Sequence, residues 1–411
     1  MMERSVYVLD LGSTKVVCLA ARLASDGTLD VRGIDSVTTS GVYRGVVVDL
    51  SEVSSAIQSV VRRVSQMTAD EGIPGLVVSI GGGHLDAMTG QGLVPIFPKT
   101  RPISRDDVLQ VINHARHVSL PVGTELIQAI PREFRIDGGR GIHRPIGMNG
   151  ERLEVDTHIV TGLAENIRQT EDAVESAGYK VAAMVAGPVA SAMGVLTSSD
   201  IEKGCAVIDL GGGTTSIAVF SNGGPVLTSC LPIGSQLVTS DLQQLLKVSM
   251  DEAERLKVES GSAWADAISE DEVVDVLQTG QSEPRSMQRK VLSEIIEARM
   301  REIARYVLKQ IESTGPLSNL DAGVFLTGGG SQLDHVERLF ESVLVGTSVK
   351  KALPPVQGSF TEIARKPAMA AAVGLAKFAL QEDEDEIAPA SGIGSWKEAI
   401  RTVKSLFSGR E

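Results

Sequence analysis

Residues 205–220 read CAVIDLGGGTTSIAVF. An apolar run ends at Asp209, glycines and hydroxyl residues follow, and a second apolar run completes the stretch. Apolar runs bounded by turn residues predict two buried strands joined by a tight turn. Glycines in the turn let backbone N–H groups approach an anion, and an aspartate at the end of a strand can orient a hydrated Mg²⁺. Taken alone, the stretch fits either a phosphate-binding turn or an ordinary hairpin.

The same pattern occurs near the N-terminus. Residues 6–19 read VYVLDLGSTKVVCL, which is again a strand, Asp-Leu-Gly, hydroxyl residues and a strand. Each copy continues into a turn, at 26–27 and at 222–224, and then into a further apolar strand. Two copies of a three-strand meander predict two similar domains that face each other. A phosphate chain between the two turns would then be held from both sides.

A third glycine stretch follows much later, where residues 324–332 read VFLTGGGSQ. An apolar strand runs into bare glycines, and a helical pattern begins near Leu333. Such a turn can pass close to a flat base or a ribose. The sequence contains neither GxxxxGK[ST] nor a strand-linked GxGxxG, so P-loop and Rossmann sites lose support.

The order DLGSTK, DLGGGTTS and LTGGG resembles the phosphate-1, phosphate-2 and adenosine motifs of the actin, Hsp70 and sugar-kinase superfamily. The resemblance implies ATP with Mg²⁺ in a central cleft, with Asp10 and Asp209 positioning Mg²⁺ through water. The residues that it assigns to the phosphates are Gly12, Ser13, Thr14, Lys15, Gly211, Gly212, Gly213, Thr214 and Thr215. Those that it assigns to the border of the adenosine are Gly328, Gly329, Gly330 and Gln332. No residue stands out as a catalytic base, so we expect ATP turnover to be slow at most and the nucleotide to act mainly as a polymerisation state.

Composition sets the broad class of protein. The chain has 411 residues, a net charge of −13 and 22% charged residues, an ordinary globular balance that does not point to nucleic acid as a partner. Three dispersed cysteines in apolar runs favour reduced core thiols in the cytosol. The N-terminal residues do not have the pattern of a signal peptide, and no apolar run in the sequence is long enough to cross a bilayer.

The first half of the chain contains an interruption of different character. A helix is predicted at 50–67 and a strand at 76–80, and Gly81-Gly82-Gly83 is interpreted as a crossover. Residues 84–160 hold five of the six histidines and predict a small inserted α+β subdomain. Its predicted elements are a helix at 104–118 and strands at 125–130 and 152–160. The main domain then resumes with a helix at 165–178, a strand at 179–185 and a helix with Pro188 in its first turn.

The second half is predicted to be largely helical around its sheet. Helices are expected at 237–246, 251–258 and 286–314, an irregular acidic segment at 270–283, and a helix of small residues at 368–376 that crosses the Pro188 helix. Glu254 and Lys257 lie three residues apart on one helix. They fit either a solvated ion pair or, by resemblance to the superfamily, a contact with the nucleoside.

The C-terminal stretch is a charged linker followed by an amphipathic pattern. Residues 382–386 are five consecutive acids, and Ser395 and Glu398 form a capping-box pattern. The apolar face of the following helix would hold Trp396, Ile400, Val403 and Phe407, and its flank Lys397, Arg401 and Lys404. A helix of about 18 Å cannot span a hydrocarbon core of ~30 Å, but it can lie in an anionic interface. The alternative is a tail helix packed on the body, which an acidic spacer disfavours.

Together these features resemble the FtsA family of bacterial cell-division proteins, in the segment GVYRGVVVD (41–49) and in the insert from 131 to 155. The resemblance implies head-to-tail filaments, binding of the tail of the tubulin-like FtsZ, recruitment of other division proteins, and attachment to the cytoplasmic face of the inner membrane at the division site. Two alternatives remain open: a PilM-like scaffold of pilus assembly, and a small-molecule kinase of the same superfamily.

The predicted fold class is α/β: an actin-like two-lobed fold with two duplicated RNase H-like domains, an inserted small α+β subdomain and a C-terminal amphipathic helix. The expected boundaries are 1–83 and 161–195 for the first domain, 84–160 for the insert, 196–367 for the second domain, 368–380 for a helix returning to the first, 381–395 for the linker and 396–411 for the amphipathic helix.

Overall fold

Two five-stranded sheets, each opened by one of the Asp-Leu-Gly hairpins, form the centre of the fold. The computed structural model describes residues 5–24, 26–68, 70, 72–99 and 101–380. The linker and the amphipathic pattern from 381 onwards, including Trp396, Lys397, Ile400, Arg401, Val403, Lys404 and Phe407, lie outside the described residues. Among the helices that are described, none has the length and apolar character needed to cross a membrane.

The first sheet has the strand order β11-β6-β1-β2-β3, in which β11 is Val181–Ala186, β6 Leu76–Ile80, β1 Val6–Leu11, β2 Lys15–Leu23 and β3 Leu29–Thr38. Strands β1, β2 and β3 form the predicted antiparallel meander, and β6 and β11 extend it in parallel from β1. Helix α1 covers one face with Val53, Ile57, Val60 and Val64, which lie three and four residues apart and are buried. The elements before the insert are β1 Val6–Leu11, β2 Lys15–Leu23, β3 Leu29–Thr38, β4 Val42–Tyr43, β5 Val46–Val47, α1 Leu50–Thr68 and β6 Leu76–Ile80.

An antiparallel sheet and one helix make up the inserted segment. The sheet has the order β7-β10-β8-β9. Helix α2 begins with a capping box between Ser104 and Asp107 and lies directly on the sheet. A Cβ at Gly92 would lie 2.0 Å from the Val111 carbonyl oxygen, so glycine is required for this close approach. The elements are β7 Asp86–Pro95, α2 Arg105–Arg116, β8 Thr124–Ile136, β9 Gly139–Ile142 and β10 Arg152–Leu163.

The second sheet repeats the topology of the first. Its order is β14-β13-β12-β17-β18, with an antiparallel meander β12-β13-β14 and parallel strands β17 and β18. The elements from the end of the insert to the end of the second meander are α3 Ala164–Ser176, β11 Val181–Ala186, α4 Gly187–Val195, α5 Ser198–Lys203, β12 Cys205–Leu210, β13 Thr215–Ser221 and β14 Gly224–Leu231. The elements that follow are α6 Gln236–Leu246, α7 Met250–Ser260, β15 Val273–Val276, β16 Arg285–Gln288, α8 Arg289–Glu312, β17 Gly323–Thr327, α9 Val336–Val343, β18 Val349–Lys351, α10 Thr361–Ala364 and α11 Ala370–Leu380.

Three predicted elements of the second half are wrong in detail. The segment 270–283 is not wholly irregular, because β15 pairs with β16 in an antiparallel ribbon whose Val274 and Val276 alternate inward. The long helix therefore begins at Arg289 and not at Ser286. The helix after the third glycine stretch begins at Val336, because His335 adopts a left-handed conformation with φ 61° and a short 3₁₀ turn, Gly329–Gln332, precedes it.

Helices α4 and α11 cross between the two sheets, as the small residues of both predict. A Cβ at Gly374 would lie 1.7 Å from the Ala190 carbonyl oxygen, and a Cβ at Gly194 would lie 2.0 Å from the Ala370 carbonyl oxygen. The backbones therefore touch at the crossing. Lys377 donates to the carbonyl oxygens of Met193 and Gly194 at 3.0 and 3.1 Å and holds the contact.

Candidate functional site

A cavity of about 1120 Å³ lies between the two sheets, at the ends of strands β1 and β12. It is slightly larger than the roughly 300–1,000 Å³ of typical small-molecule sites. The predicted site residues that line it are Asp10, Gly12, Ser13, Thr14, Lys15, Asp209, Gly211, Gly212, Gly213, Thr214, Glu254, Lys257, Gly328, Gly329, Gly330 and Gln332. The three glycine stretches, which are far apart in sequence, thus border a single space.

Thr215 is placed differently from the prediction. It is fully buried at the start of β13, and its hydroxyl donates to the Ile233 carbonyl oxygen at 2.9 Å. Side chains alternate across a strand, so when Thr214 borders the cavity its neighbour points into the core. The sequence-based assignment of Thr215 to a phosphate is therefore corrected to a structural role.

The two Asp-Leu-Gly turns touch each other across the cavity. A Cβ at Gly212 would lie 2.3 Å from Thr14 Cγ2, and a Cβ at Gly213 would lie 2.5 Å from Ser13 Oγ. Glycine allows this approach, which places the backbone of Gly212 and Gly213 directly against the side chains of Thr14 and Ser13. A polyphosphate bound there would meet N–H groups and hydroxyls from both lobes.

Asp10 is partly buried at the end of β1 and is held by its own sheet. Ser79 Oγ on β6 donates to Asp10 Oδ1 at 2.7 Å and accepts the Leu11 N–H at 3.0 Å. Burial raises the pKa of Asp10, while Ser79 and Lys15 oppose that rise. The side chain is therefore a fixed acceptor that faces the cavity.

Asp209 occupies the matching position at the end of β12. Ser191 Oγ, on helix α4, donates to Asp209 Oδ2 at 2.5 Å. Burial, together with the nearby charge of Asp10, raises the pKa of Asp209 to about 6, while the Ser191 hydrogen bond and Lys15 oppose that rise. Gly328 is pressed against the same carboxylate, since a Cβ there would lie 2.2 Å from Asp209 Oδ1. The third glycine stretch thus closes over the second acid.

Lys15 balances part of this negative charge. Burial lowers the pKa of its ammonium group, while Asp10 and Asp209 raise it. Two carboxyl groups and one ammonium group thus interact at the strand ends. Mg²⁺ is usually held by one or two carboxylates together with water and substrate phosphates, so this donor set fits a hydrated Mg²⁺.

A polar triad on α6 and α7 also lines the cavity. Lys257 Nζ lies 2.6 Å from Glu254 Oε2 and donates to Thr239 Oγ1 at 2.9 Å, and that hydroxyl donates to Glu254 Oε2 at 2.6 Å. Lys257 is buried, so the pair is not merely a solvated surface contact. Gln332, in the 3₁₀ turn, lines the same cavity, and a Cβ at Gly329 would meet no atom within 4 Å. The open space at Gly329 leaves room for a flat group.

Sequence reasoning missed three serines of the site. Ser79 and Ser191 orient the two acids, and Ser235 donates to the Gly211 carbonyl oxygen at 3.1 Å. None stands in a glycine motif, and each contact joins elements whose pairing the sequence pattern does not give. The signals in the sequence that could have indicated them were the hydroxyl of Ser79 at the end of β6 and that of Ser191 in the first turns of α4.

Solved structures define the class of fold. The PilM–PilN type IV pilus biogenesis complex aligns with a TM-score of 0.62 at 15% identity, covering 91% of this chain and 98% of that one. MreB5 of Spiroplasma citri bound to ADP aligns with a TM-score of 0.55 at 13% identity, covering 93% of this chain and 99% of that one. These similarities establish an actin-like two-lobed α/β fold, as predicted.

Sequence comparison gives the family. The family model "Cell division protein FtsA" matches residues 206–374, and the model "SHS2 domain inserted in FTSA" matches residues 82–161. Cell division protein FtsA of Neisseria meningitidis serogroup B is 31% identical over 391 residues, covering 95% of this chain and 94% of that protein. The chain belongs to the FtsA family of cell-division proteins. This confirms the predicted resemblance to the FtsA family. The PilM-like alternative is supported only by similarity of fold.

Proposed function

We propose that this chain is an ATP-dependent cell-division scaffold that links FtsZ filaments to the cytoplasmic face of the membrane at the division site. The observation that carries the proposal is the meeting of two Asp-Leu-Gly turns across one cavity, in a chain of the FtsA family. A ligand gripped by both turns would favour the closed arrangement of the lobes. The nucleotide state could in this way control assembly.

In this proposal each part of the cavity has its own task. The turns at 12–15 and 211–214 bind the phosphates, and Asp10 and Asp209 hold Mg²⁺ through water. Mg²⁺ would neutralise phosphate charge and connect the nucleotide to both lobes. Gly328, Gly329, Gly330 and Gln332 border the adenosine, and Glu254 with Lys257 contacts the nucleoside. Since none of these groups is placed as an evident general base, turnover is expected to be slow.

The partner proposals rest on family membership and on the sequence beyond residue 380. We propose head-to-tail filaments of this chain, binding of the FtsZ C-terminal tail and contact with other division proteins. We further propose that residues 396–411 bind anionic lipid through an apolar face and three basic residues, Lys397, Arg401 and Lys404. The acidic linker would space this helix from the body.

Calorimetric titration of the full chain with AMPPNP tests the nucleotide site. Binding should require Mg²⁺ and should weaken at least about tenfold in EDTA, because the phosphates then face two carboxylates without a counter-ion. Asp10→Asn and Asp209→Asn should each abolish this Mg²⁺ dependence. Binding that is equally tight with and without Mg²⁺ would contradict the proposed roles of the acids.

Co-sedimentation with liposomes tests the membrane tether. The full chain should pellet with anionic vesicles and carry FtsZ with it, whereas Trp396→Glu and a chain ending at Gln381 should stay in the supernatant and still bind nucleotide. Neutral vesicles are the control for charge. Equal pelleting of all three proteins would mean that the tail is not the membrane contact.

A further inference from the structure

A short hairpin closes one side of the cavity. Strands β4 and β5 pair as Val42↔Val47 and Tyr43↔Val46, and Arg44 and Gly45 form the tip. Tyr43, Arg44 and Gly45 all line the cavity. Arg44 has φ 49°, a left-handed conformation that a side-chain-bearing residue seldom adopts, and Gly45 follows with φ 82°. Such conformations persist where the surroundings hold them, and they concentrate at ligand-binding sites.

The tip is held by contacts with three separate parts of the chain. The Gly45 N–H donates to Ser13 Oγ in the first phosphate turn at 2.9 Å. A Cβ at Gly45 would lie 2.5 Å from the backbone N of Gly82 in the crossover. A Cβ at Gly213, in the second phosphate turn, would lie 3.3 Å from Arg44 Cα. The backbone of Arg44 is therefore fixed where the two turns meet.

The side chain of Arg44 has no carboxylate partner among the described residues. Its guanidinium carbon lies 5.1 Å from the centroid of the Tyr43 ring, and the residue is exposed. Three cations occur among the described residues that line the cavity: Lys15, Arg44 and Lys257. Lys257 pairs with Glu254 on α7, and Lys15 interacts electrostatically with Asp10 and Asp209. Within the described part of the chain, Arg44 is thus a cation at the phosphate turns that forms no ion pair with an acid.

We propose that Arg44 contacts the terminal phosphate of a nucleoside triphosphate and gives the site its preference for triphosphate over diphosphate. A guanidinium presents a planar fork of donors that suits phosphate oxygens. Stacking on Tyr43 holds that fork at the cavity wall before the ligand arrives, which lowers the cost of ordering it. The inference rests on the proposed nucleotide function, because it names the residue that distinguishes the two states of that nucleotide.

The test is calorimetric titration of the full chain with Mg²⁺ and either AMPPNP or ADP. Arg44→Ala should weaken AMPPNP about tenfold or more and leave ADP within about twofold, because only the triphosphate reaches the guanidinium. Arg44→Lys should keep part of the preference. Arg44→Gly also removes the guanidinium, and it relieves the left-handed backbone, so it covers the case in which the alanine variant does not fold. Arg105→Ala, an exposed arginine in the insert without an ion pair among the described residues, is the matched control.

The outcomes separate the two proposals. If the unaltered chain binds neither nucleotide, the nucleotide function fails, and the role of Arg44 fails with it. If the unaltered chain binds both, and Arg44→Ala and Arg44→Gly weaken both by the same factor or neither of them, the role of Arg44 alone is overturned. Selective loss of AMPPNP affinity in both variants, with Arg105→Ala unchanged, supports it.

Discussion

Asp10 and Asp209 end equivalent strands in the two lobes, yet each accepts its serine hydrogen bond from a different kind of element. Asp10 is held by Ser79, on the neighbouring strand of its own sheet. On the neighbouring strand of the second sheet the residue opposite Asp209 is Thr327, whose hydroxyl donates instead to Ala352 and Pro367. Asp209 is held by Ser191, on the crossing helix α4. The two lobes therefore share the same strand arrangement but hold their aspartates differently. Asp209 is hydrogen-bonded to a helix that forms the crossing of the lobes, whereas Asp10 is not.

The largest effect on nucleotide affinity is expected from a substitution that breaks the contact between the two turns. Gly213→Ala places a methyl group 2.5 Å from Ser13 Oγ, so the turns cannot approach and nucleotide affinity should fall at least about 100-fold, or ~2.7 kcal/mol. Gly81→Ala, in the same cavity but with no atom within 4 Å of its Cβ, is the control and should bind normally. Titration with AMPPNP measures both, and equal affinities would mean that closure of the turns is not required.

The next effect concerns the charge of the second acid. The folded-state pKa of Asp209, about 6, lies above its usual value of 3.8, so the folded chain binds this proton more tightly and loses stability as pH rises from about 4 through 6. Asp209→Asn should therefore raise the free energy of unfolding at pH 7.5 by about 2 kcal/mol, less than the shift alone gives because Lys15 loses a partner. The gain should vanish near pH 4.

Urea unfolding without nucleotide at both pH values measures this difference. Asp10→Asn sharpens the comparison and should act in the same direction, because burial also raises the pKa of Asp10. A variant of Asp209 that is less stable than the unaltered chain at pH 7.5 would show that the buried charge is stabilising.

A smaller effect on stability is expected when either of the serines that hold the two aspartates, Ser79 or Ser191, is replaced. Ser79→Ala leaves both the Leu11 N–H and the Asp10 carboxylate without this partner and should cost about 1–2 kcal/mol of unfolding free energy. Ser191→Ala removes one hydrogen bond and should cost about 1 kcal/mol, but it should also reduce the nucleotide-induced hydrogen-exchange protection of α4. If Ser79→Ala lowers the protection of α4 equally, the crossing helix has no special link to Asp209.

The smallest effects are expected for Thr215, on β13, and for its neighbour Thr214, in the preceding turn. Thr215→Ala should lower the unfolding free energy by about 1 kcal/mol, because the Ile233 carbonyl oxygen loses its donor, with nucleotide affinity unchanged within about twofold. Thr214→Ala should lower nucleotide affinity about fivefold without a comparable loss of stability. Thermal unfolding and titration of both variants check this, and reversed results would restore Thr215 to the site.

Local sequence pattern was sufficient for the meanders and for the glycine turns, because strands, turn residues and terminal acids lie within one short stretch. It was insufficient for Ser79 and Ser191, whose partners Asp10 and Asp209 are brought close only by the sheet and by the crossing helices. The left-handed conformation of Arg44 was hidden for another reason: a non-glycine residue gives no local sign of positive φ. The β15–β16 ribbon was missed since its strands have four residues each and are separated by a polar loop.

The crossing of α4 and α11 has a mechanical consequence. Where Gly194 and Gly374 bring the two backbones into contact, there is no intervening side chain to compress, and Lys377 pins the junction. Because two closely packed backbones resist sliding, we expect any relative motion of the lobes to be a rotation about this point. Displacement then grows with distance from the crossing, so a small change at the two Asp-Leu-Gly turns is magnified at the outer edges of the molecule.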